Sequence, residues 1–464
     1  MFCLSQTLIL SAGVGVSKPG PTLTLVAAIT IVCALVFGSS SQLAIANEIT
    51  FQDAFSLALS NAPDYQLAEF KVVGAKARRD QALGKLLPQV SLFGQWSQNE
   101  IKYDRSSDPY SDVDFPGQRY GVTLNQSLVA VADGLELNRM NLLQQLSQEE
   151  LREAEADLLD QVLTAYLTVL ISDADIGALE SEIAAIDIQL EESRALYSEN
   201  LIPITAVLEA ESRSASLYAD LAMAQGQRAV AREALTRLTG EREFQLVEVS
   251  ESIGLLSTFG SANAAASAAL ISDPAIASAR TSVSAAEKAV LREKSRWIPD
   301  VSLNYSFQHS DVGFDNQRVP SRDTSTLALQ FQYPIFEGGA KRARMQGVTA
   351  EYNAATTALR AQKLDTESRA RSAWLSFHAG AERLRAGRQA FKSSSVNVEA
   401  TELALKAGKA TRSDILFALA QRTRARRDLI DARFFYVQAW VELELCTGAH
   451  PGSLAERLSA AMHL

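Results

Sequence analysis

Three cysteines, four histidines and twelve prolines are all that 464 residues contain of these types, and each scarcity excludes something. His309, His378, His450 and His463 share no ligand spacing, so no metal site is expected. Cys3 and Cys33 fall within the first 46 residues. Cys446, alone beyond them, has no partner for an intramolecular disulfide and reads as a small apolar residue near a helix end. No Gly-x-x-x-x-Gly-Lys run cradles a phosphate, and no set of His, Cys and carboxylate residues converges, so neither a cofactor nor enzymatic activity is expected. Basic residues are also short: 44 Lys and Arg against 54 Asp and Glu give a net charge of −10, too acidic for a nucleic-acid binder. At 47% hydrophobic residues the chain is too apolar to be disordered. Beyond residue 46 nothing approaches 18 uninterrupted apolar residues. If the mature chain crosses a membrane, it does so as a β-barrel.

What is present begins with an export signal. Lys18 precedes an apolar run from Leu23 to Phe37, followed by Gly38-Ser39-Ser40-Ser41 and then Ala44-Ile45-Ala46. This is the order of a secretory signal peptide, predicted as 1–46 with cleavage after Ala46; the run is too short for a spanning anchor. Val32 before Cys33, where a small residue is required, argues against lipidation.

The rest of the chain is written twice. Pro63 pairs with Pro274 and Pro88 with Pro299, both at a separation of 211 residues. Leu86-Leu87-Pro88-Gln89-Val90-Ser91-Leu92 matches Trp297-Ile298-Pro299-Asp300-Val301-Ser302-Leu303. Leu124 to Leu128 matches Phe331 to Ile335, and Leu238-Thr239-Gly240 matches Cys446-Thr447-Gly448. A period above 200 residues is a duplicated module, not a solenoid of short repeats.

Each module reads as two strands and very long helices. Val301, Leu303, Tyr305 and Phe307 alternate with Ser302, Asn304, Ser306 and Gln308. Leu327, Leu329, Phe331, Tyr333 and Ile335 alternate with Ala328, Gln330, Gln332 and Pro334. Period two with one apolar and one polar, uncharged face suits either a soluble hairpin or a membrane strand. The signal peptide and the girdle-like Trp96, Tyr305 and Tyr333 favour the membrane. Polar segments 103–119 and 309–322 read as exposed loops. Four strands cannot close a barrel, since the smallest have about eight, so several chains must share one. From Gly134 to Tyr197 and from Ile335 to His450 there is no proline. A helix of such length spans roughly 100 Å, more than a globular core needs. Leu151, Ala154, Leu158, Val162, Ala165 and Val169 form a heptad seam.

Each long helix is predicted to end in a turn. Residues 197–208 stand opposite 405–416. Asn200 and Gly408 suit a left-handed C-cap, and Pro203 and Thr411 suit the start of the return helix.

Taken together, Asn61-Ala62-Pro63, the run at 86–92, Tyr333-Pro334-Ile335-Phe336-Glu337-Gly338-Gly339 and the run from Ala407 to Leu416 resemble the TolC family of outer membrane efflux proteins over about residues 48–448. The duplicated order is more specific than any one motif. The resemblance implies a mainly α fold with a membrane β-barrel part: a homotrimer in which three chains build one twelve-stranded barrel, set in outer membrane lipid, on a periplasmic tunnel of coiled-coil helices. The implied division is a first repeat at 47–240 (strands about 88–104 and 118–130, tip turn 199–204), an equatorial linker at 241–272, a second repeat at 273–448 (strands about 299–309 and 323–336, tip turn 407–412) and a C-terminal tail at 449–464. It implies a passive exit duct for efflux or type I secretion, served by an inner membrane pump and a periplasmic adaptor. The adaptor's helical hairpin would dock at Asn200, Leu201, Ile202, Gly408, Lys409 and Ala410, residues that also serve simply as turn formers.

Ser302, Asn304, Ser306, Gln308, Gln330 and Gln332 are assigned to the barrel lumen. Family members with a carboxylate ring at the constriction place two acids three residues apart after the second tip turn. Here Asp414 takes the first position and Phe417 the second, while Ala206 stands where the first module often has an acid. This implies a single Asp ring with an aromatic ring below it. Asp414 also lies three residues after Thr411, where a carboxylate caps a helix, and the two roles stay open. Arg422, Arg424, Arg426 and Arg427 read as a solvated face or an interhelical ion-pair strip. The rival reading is a periplasmic coiled-coil adaptor or scaffold, which would not need two strand pairs with polar inner faces.

Overall fold

A computed structural model of the chain describes residues 47–102, 113–247, 253–254, 259–312 and 318–463. The leader and its cleavage point lie outside the described residues. So do parts of both strand connections (103–112 and 313–317) and of the connection between the repeats. The first repeat runs β1 (Asn47–Ile49), α1 (Phe51–Asn61), α2 (Pro63–Gly84), β2 (Gln89–Ile101), β3 (Val113–Val129), α3 (Val131–Ser198) and α4 (Ile204–Thr239). After β4 (Phe244–Leu246), the order repeats as α5 (Ala262–Ser272), α6 (Pro274–Ser295), β5 (Asp300–Val312), β6 (Arg318–Gln332), α7 (Ala340–Lys406) and α8 (Arg412–Cys446). A last helix, α9 (Pro451–His463), follows.

Local chemistry fixes the helix starts. Thr50 and Asp53 form a reciprocal capping box at α1. Pro63 and Pro274 stand in the first turns of α2 and α6, where a missing N–H costs nothing. At the other end of each module the same clasp appears twice. Asn61 Nδ2 donates to the Thr239 carbonyl at 2.7 Å, and Ser272 Oγ to the Thr447 carbonyl at 2.7 Å. Each accepting residue precedes a left-handed glycine, Gly240 at φ 80° and Gly448 at φ 85°.

α3 and α7, of 68 and 67 residues, span about 100 Å each. The main core forms where the middle of α3 meets α1, α8 and α9, with Leu159, Val162, Leu163, Tyr166 and Val169 packed against Phe51, Val437, Leu443, Leu454 and Leu458. Tyr166 stacks edge-on to Phe51 and donates to the carbonyls of Ile49 and Val247, tying the helix to the short β1–β4 pair. By length and composition α3 holds a stretch apolar enough to cross a membrane; 61% of it is buried within the fold, as a core helix requires. Residues 449–463 are not a bare tail, because Leu454 and Leu458 of α9 are completely buried in this core. The 241–272 connection likewise contains β4 and α5. Ala265, Ala266 and Ala269 of α5 pack closely because they are small.

β2, β3, β5 and β6 form one antiparallel sheet in that order, so β2 and β6 are its edges. β3, β5 and β6 are longer at their outer ends than the alternation suggested, whereas β2 stops at Ile101, and 113–119 and much of 309–322 are paired rather than loop. Pro116 is compatible because β3 has only β2 as partner at that level, β5 pairing starting at Arg119; Pro320 lies on edge strand β6. At the inner end β6 stops at Gln332 instead of continuing to 336. Pro334 lacks an N–H for the ladder, and Gly338 and Gly339 turn the chain at φ 58° and 86°.

Candidate functional site

The sheet separates its two faces across all four strands. On one face the register aligns Val90, Leu124, Tyr305 and Leu327 in one row, and Leu92, Val122, Phe307 and Ser325 in the next. Leu92 and Trp96 are about four-fifths and three-quarters exposed, as are Leu327, Leu329 and Phe331 by about two-thirds. So broad an apolar face has no cover among the described residues. Beyond these rows Tyr120 stacks on His309 at 4.9 Å, and His309 Nδ1 meets Asp323 at 2.7 Å, so the face turns polar at its outer edge.

The opposite face carries Ser91, Thr123, Ser306 and Thr326 in one row and Ser127, Ser302 and Gln330 in another. Ser91 and Thr123 share a 2.6 Å hydrogen bond, and Asn304 Nδ2 donates to Gln330 Oε1 at 3.1 Å. Asn304, Gln308 and Gln332 lie on this face too. Gly121 leaves room on it: a Cβ there would strike the Phe307 carbonyl and the Phe93 ring.

At the far end of the helices the two hairpins close with the same hydrogen bonds. The N–H groups of Asn200 and Leu201 donate to the carbonyls of Tyr197 and Leu196; those of Gly408 and Lys409 donate to Leu405 and Ala404. Asn200 at φ 58° is the single non-glycine residue with positive φ among the described residues, and Gly408 holds the matching place at φ 68°. Asn200, Leu201 and Lys409 are exposed, whereas Ile202 packs against Leu190, Val207 and Ala210 of its own hairpin.

Asp414 completes a capping box, its Oδ2 accepting from the Thr411 N–H and Oγ, both at 2.7 Å. The backbone bond first, and the hydroxyl second, hold its carboxyl below the usual range. Phe417, one turn on, is exposed.

Sequence reasoning missed how the hairpins are joined. Arg412 reaches Glu192 of α3 at 2.9 Å, and Ser413 Oγ donates to Glu209 of α4 at 3.2 Å. Below them, Arg213 pairs with the buried Glu182 at 2.5 Å, and Ser214 and Tyr218 both donate to Asp187 at 2.9 Å; Arg427 pairs with Asp175 at 2.9 Å, the interhelical ion pair that is one of the two readings of its basic run. The residues of these pairs that join the two hairpins are more than 200 positions apart. The duplicated register, which sets 412 level with 204, is the one signal that could have located them.

A third feature lies at the level of the core. Glu153, Asp157, Asp160, Asp273, Asp365 and Glu442 line a cavity of about 620 Å³ with Arg369 and Cys446. Burial pushes the carboxyls of Glu153, Asp160 and Glu442 upward, and the Cys446 thiol up to about 11. Among the described residues no His, Cys, Asp and Glu group suits a metal ion.

The profile of the outer membrane efflux protein family matches residues 54–241 and 265–449. The chain belongs to the outer membrane efflux protein family. Outer membrane protein TolC of Vibrio cholerae is 23% identical over 390 residues, covering 82% of this chain and 87% of that protein. Alkaline protease secretion protein AprF of Pseudomonas aeruginosa is 24% identical over 415 residues, covering 85% and 84%. Among solved structures, CusC superposes with a TM-score of 0.75 at 16% identity over 87% of this chain and 93% of its own. VceC of Vibrio cholerae superposes with 0.72 at 17% identity over 86% and 96%. As a member of the outer membrane efflux proteins, this chain is an outer membrane channel for efflux or type I secretion. The adaptor or scaffold reading, which had no use for the sheet, is set aside.

Proposed function

We propose that three copies of this chain pool their sheets into one twelve-stranded barrel over a common helical tunnel. The duct works passively between a periplasmic adaptor with its inner membrane pump and the cell exterior. The observation that carries this reading is the sheet itself: four strands, two unpaired edges and one apolar face. In hydrocarbon each unpaired backbone group costs several kcal/mol, so β6 of one copy must pair with β2 of the next. The Ser302, Asn304, Ser306, Gln308, Gln330 and Gln332 side then lines the water-filled lumen.

At the opposite end, the exposed Asn200, Leu201, Gly408 and Lys409, with the half-buried Ala410, are where the adaptor's helical hairpin docks, with Ile202 bracing the first turn from behind. Phe417 narrows the entrance, while Asp414 chiefly fixes the turn from which Phe417 projects. The Arg412–Glu192 and Ser413–Glu209 links hold the second hairpin against the first in the closed state. An exported chain without a nucleotide site draws its driving force from the pump.

Two measurements test this. Native mass spectrometry in detergent is expected to give a trimer, and planar bilayers a pore; a monomer without conductance would sink the shared barrel. A Lys409→Cys variant in a Cys446→Ser background is expected to cross-link in cells to an adaptor of stated coiled-coil type. Cross-links confined to other copies of this chain would remove the docking assignment.

A further inference from the structure

Where α2 and α6 give way to strands, both repeats make the same tight turn. The N–H groups of Leu86 and Leu87 donate to the Leu83 and Gly84 carbonyls, and those of Trp297 and Ile298 to the Lys294 and Ser295 carbonyls. Pro88 and Pro299 then immediately precede β2 and β5. Each turn leaves large apolar side chains in the open: Leu87, Trp297 and Ile298 are about half exposed. The connection from β6 to α7 does so more strongly, with Ile335 and Phe336 each 85% exposed. It is held in place all the same. Lys341 Nζ donates to the Pro334 carbonyl at 2.9 Å and to the Arg296 carbonyl at 3.3 Å, and lies over the Trp297 and Tyr333 rings at 5.0 and 5.7 Å. These connections thus form one ledge at the inner end of the sheet.

Charge at this ledge is unevenly matched. Glu136 pairs with Arg139 and Arg292, Glu293 with Arg296 and Arg344, and Glu337 with Arg344. Asp133 sits in the first turn of α3, where the helix dipole favours it, and Asp300 lies on the polar face of the sheet. Lys85 lies two residues before Leu87, Lys294 three before Trp297, and Arg342 follows Lys341. All three are exposed and have no ion-pair partner among the described residues.

The strands alone are too short to fill the hydrocarbon. From Val301 to Phe307 the apolar run of β5 rises about 20 Å, or about 15 Å across the membrane at the tilt of barrel strands, against an apolar band of about 25 Å. His309 with Asp323 closes the run on the outer side. The shortfall therefore lies inward, where Leu87, Trp297, Ile298, Ile335 and Phe336 stand exposed.

We propose that this ledge is a lipid-binding collar. The five apolar side chains enter the inner leaflet of the outer membrane, and Lys85, Lys294 and Arg342 hold the phosphates of anionic phospholipid headgroups on the periplasmic side. The assignment rests on the shared-barrel reading, in which the helical end of the sheet faces the periplasm. Apolar and aromatic groups flanked by cations anchor a protein at headgroup depth, and each cation near an anionic surface adds an attraction that salt weakens.

The test uses the full mature chain. For insertion, Phe336→Cys in a Cys446→Ser background carries a bimane label and is reconstituted in vesicles of brominated phosphatidylcholine. Bromine is expected to quench this label and to leave a label on Lys409→Cys, at the helix tips, unquenched. For headgroups, native mass spectrometry in detergent reads which added lipid stays bound. The wild type is expected to retain phosphatidylglycerol over phosphatidylcholine by about fivefold or more, the effect of one cation near an anionic surface. Lys85→Gln/Lys294→Gln/Arg342→Gln should lose that preference, and Lys85→Arg/Lys294→Arg/Arg342→Lys should keep it. Equal retention of the two lipids by the wild type, or an unaltered preference in the Gln variant, would overturn the headgroup site. An unquenched label at 336 would mean that a neighbouring copy covers the ledge and would overturn the collar. Both readouts can be taken on any oligomer the chain forms, whereas a monomer without conductance would sink the barrel reading beneath them.

Discussion

At residues 196–203 and again at 404–411 the chain makes the same turn, yet the two are locked differently. Both carry the same pair of backbone bonds around a left-handed residue. In the first that residue is Asn200, and α4 starts behind Pro203 with no side-chain cap. In the second it is Gly408, and α8 starts behind Thr411 with a full capping box to Asp414. Asn pays a steric cost in αL that Gly avoids, and proline fixes φ without supplying an acceptor. The first turn is thus held by a stiff chain and by Ile202 packed beneath it; the second is held by polar side chains and by the Arg412–Glu192 link. Duplication kept the backbone path and let the means of holding it diverge. A turn held by charge and hydrogen bonds answers to solutes and pH, whereas a turn held by packing does not.

The largest effect should come from forcing the second turn to tolerate what the first already bears, and more. Gly408→Val puts a β-branched side chain at φ 68°, and a local loss of about 1–2 kcal/mol is expected. Asn200→Gly at the equivalent place is expected to gain at most about 0.5 kcal/mol. Hydrogen exchange of the amides at 199–203 and 407–411 reads both; equal responses at the two tips would break the comparison.

Next in size is the cap. Thr411→Ala removes the acceptor of the Asp414 N–H, and a loss of about 1 kcal/mol is expected. The converse sharpens the point. Pro203→Thr with Ala206→Asp writes the second module's box into the first, since 203 and 206 stand level with 411 and 414. Slower exchange at the first tip is expected, and no change would show that Ile202 packing already suffices there.

Arg412→Gln acts less on stability than on function. The pair is partly exposed, so about 1 kcal/mol or less is at stake. If the link holds the hairpins together, single-channel conductance should rise in planar bilayers, and Glu192→Gln should raise it equally. Conductance unchanged in both would leave Phe417 and packing to hold the entrance.

The duplication, the strand faces and both turns were legible because they rest on local rules. Period two marks Val301 to Gln308, a positive-φ residue marks Asn200 and Gly408, and Thr411 with Asp414 has the spacing of a box. The strand ends were not. Pro116 and Pro320 look like breakers until the sheet order reveals that each lies where a partner strand is missing. Likewise, the link from Arg412 to Glu192 depends on register between distant segments. The stretch assigned as a linker, 241–272, was under-read for a different reason. A small-residue run suits a linker, but here it lets α5 approach α7 closely, where Ala370 meets it.

The smallest effect is in pH, and it separates the tip from the core-level cavity by sign. Asp414 has a lowered pKa, so its contribution is complete above the ordinary carboxylate value of about 3.9 and is lost as pH falls below it through the folded value. Glu153, Asp160 and Glu442 have raised pKa values, first through burial, so their folded forms favour the proton. Their contribution is complete below the unfolded values of about 3.9–4.3 and declines as pH rises through the folded ones. Acidifying from neutrality toward the ordinary carboxylate range should therefore tighten the cavity while leaving the cap intact. Thermal unfolding of Asp160→Asn and Glu442→Gln against the wild type reads this directly. Each variant should raise Tm at neutral pH, and the difference should shrink as the pH approaches 4. A difference independent of pH would mean that the cavity carboxyls are already matched by Arg369, leaving the tip as the one pH-responsive end.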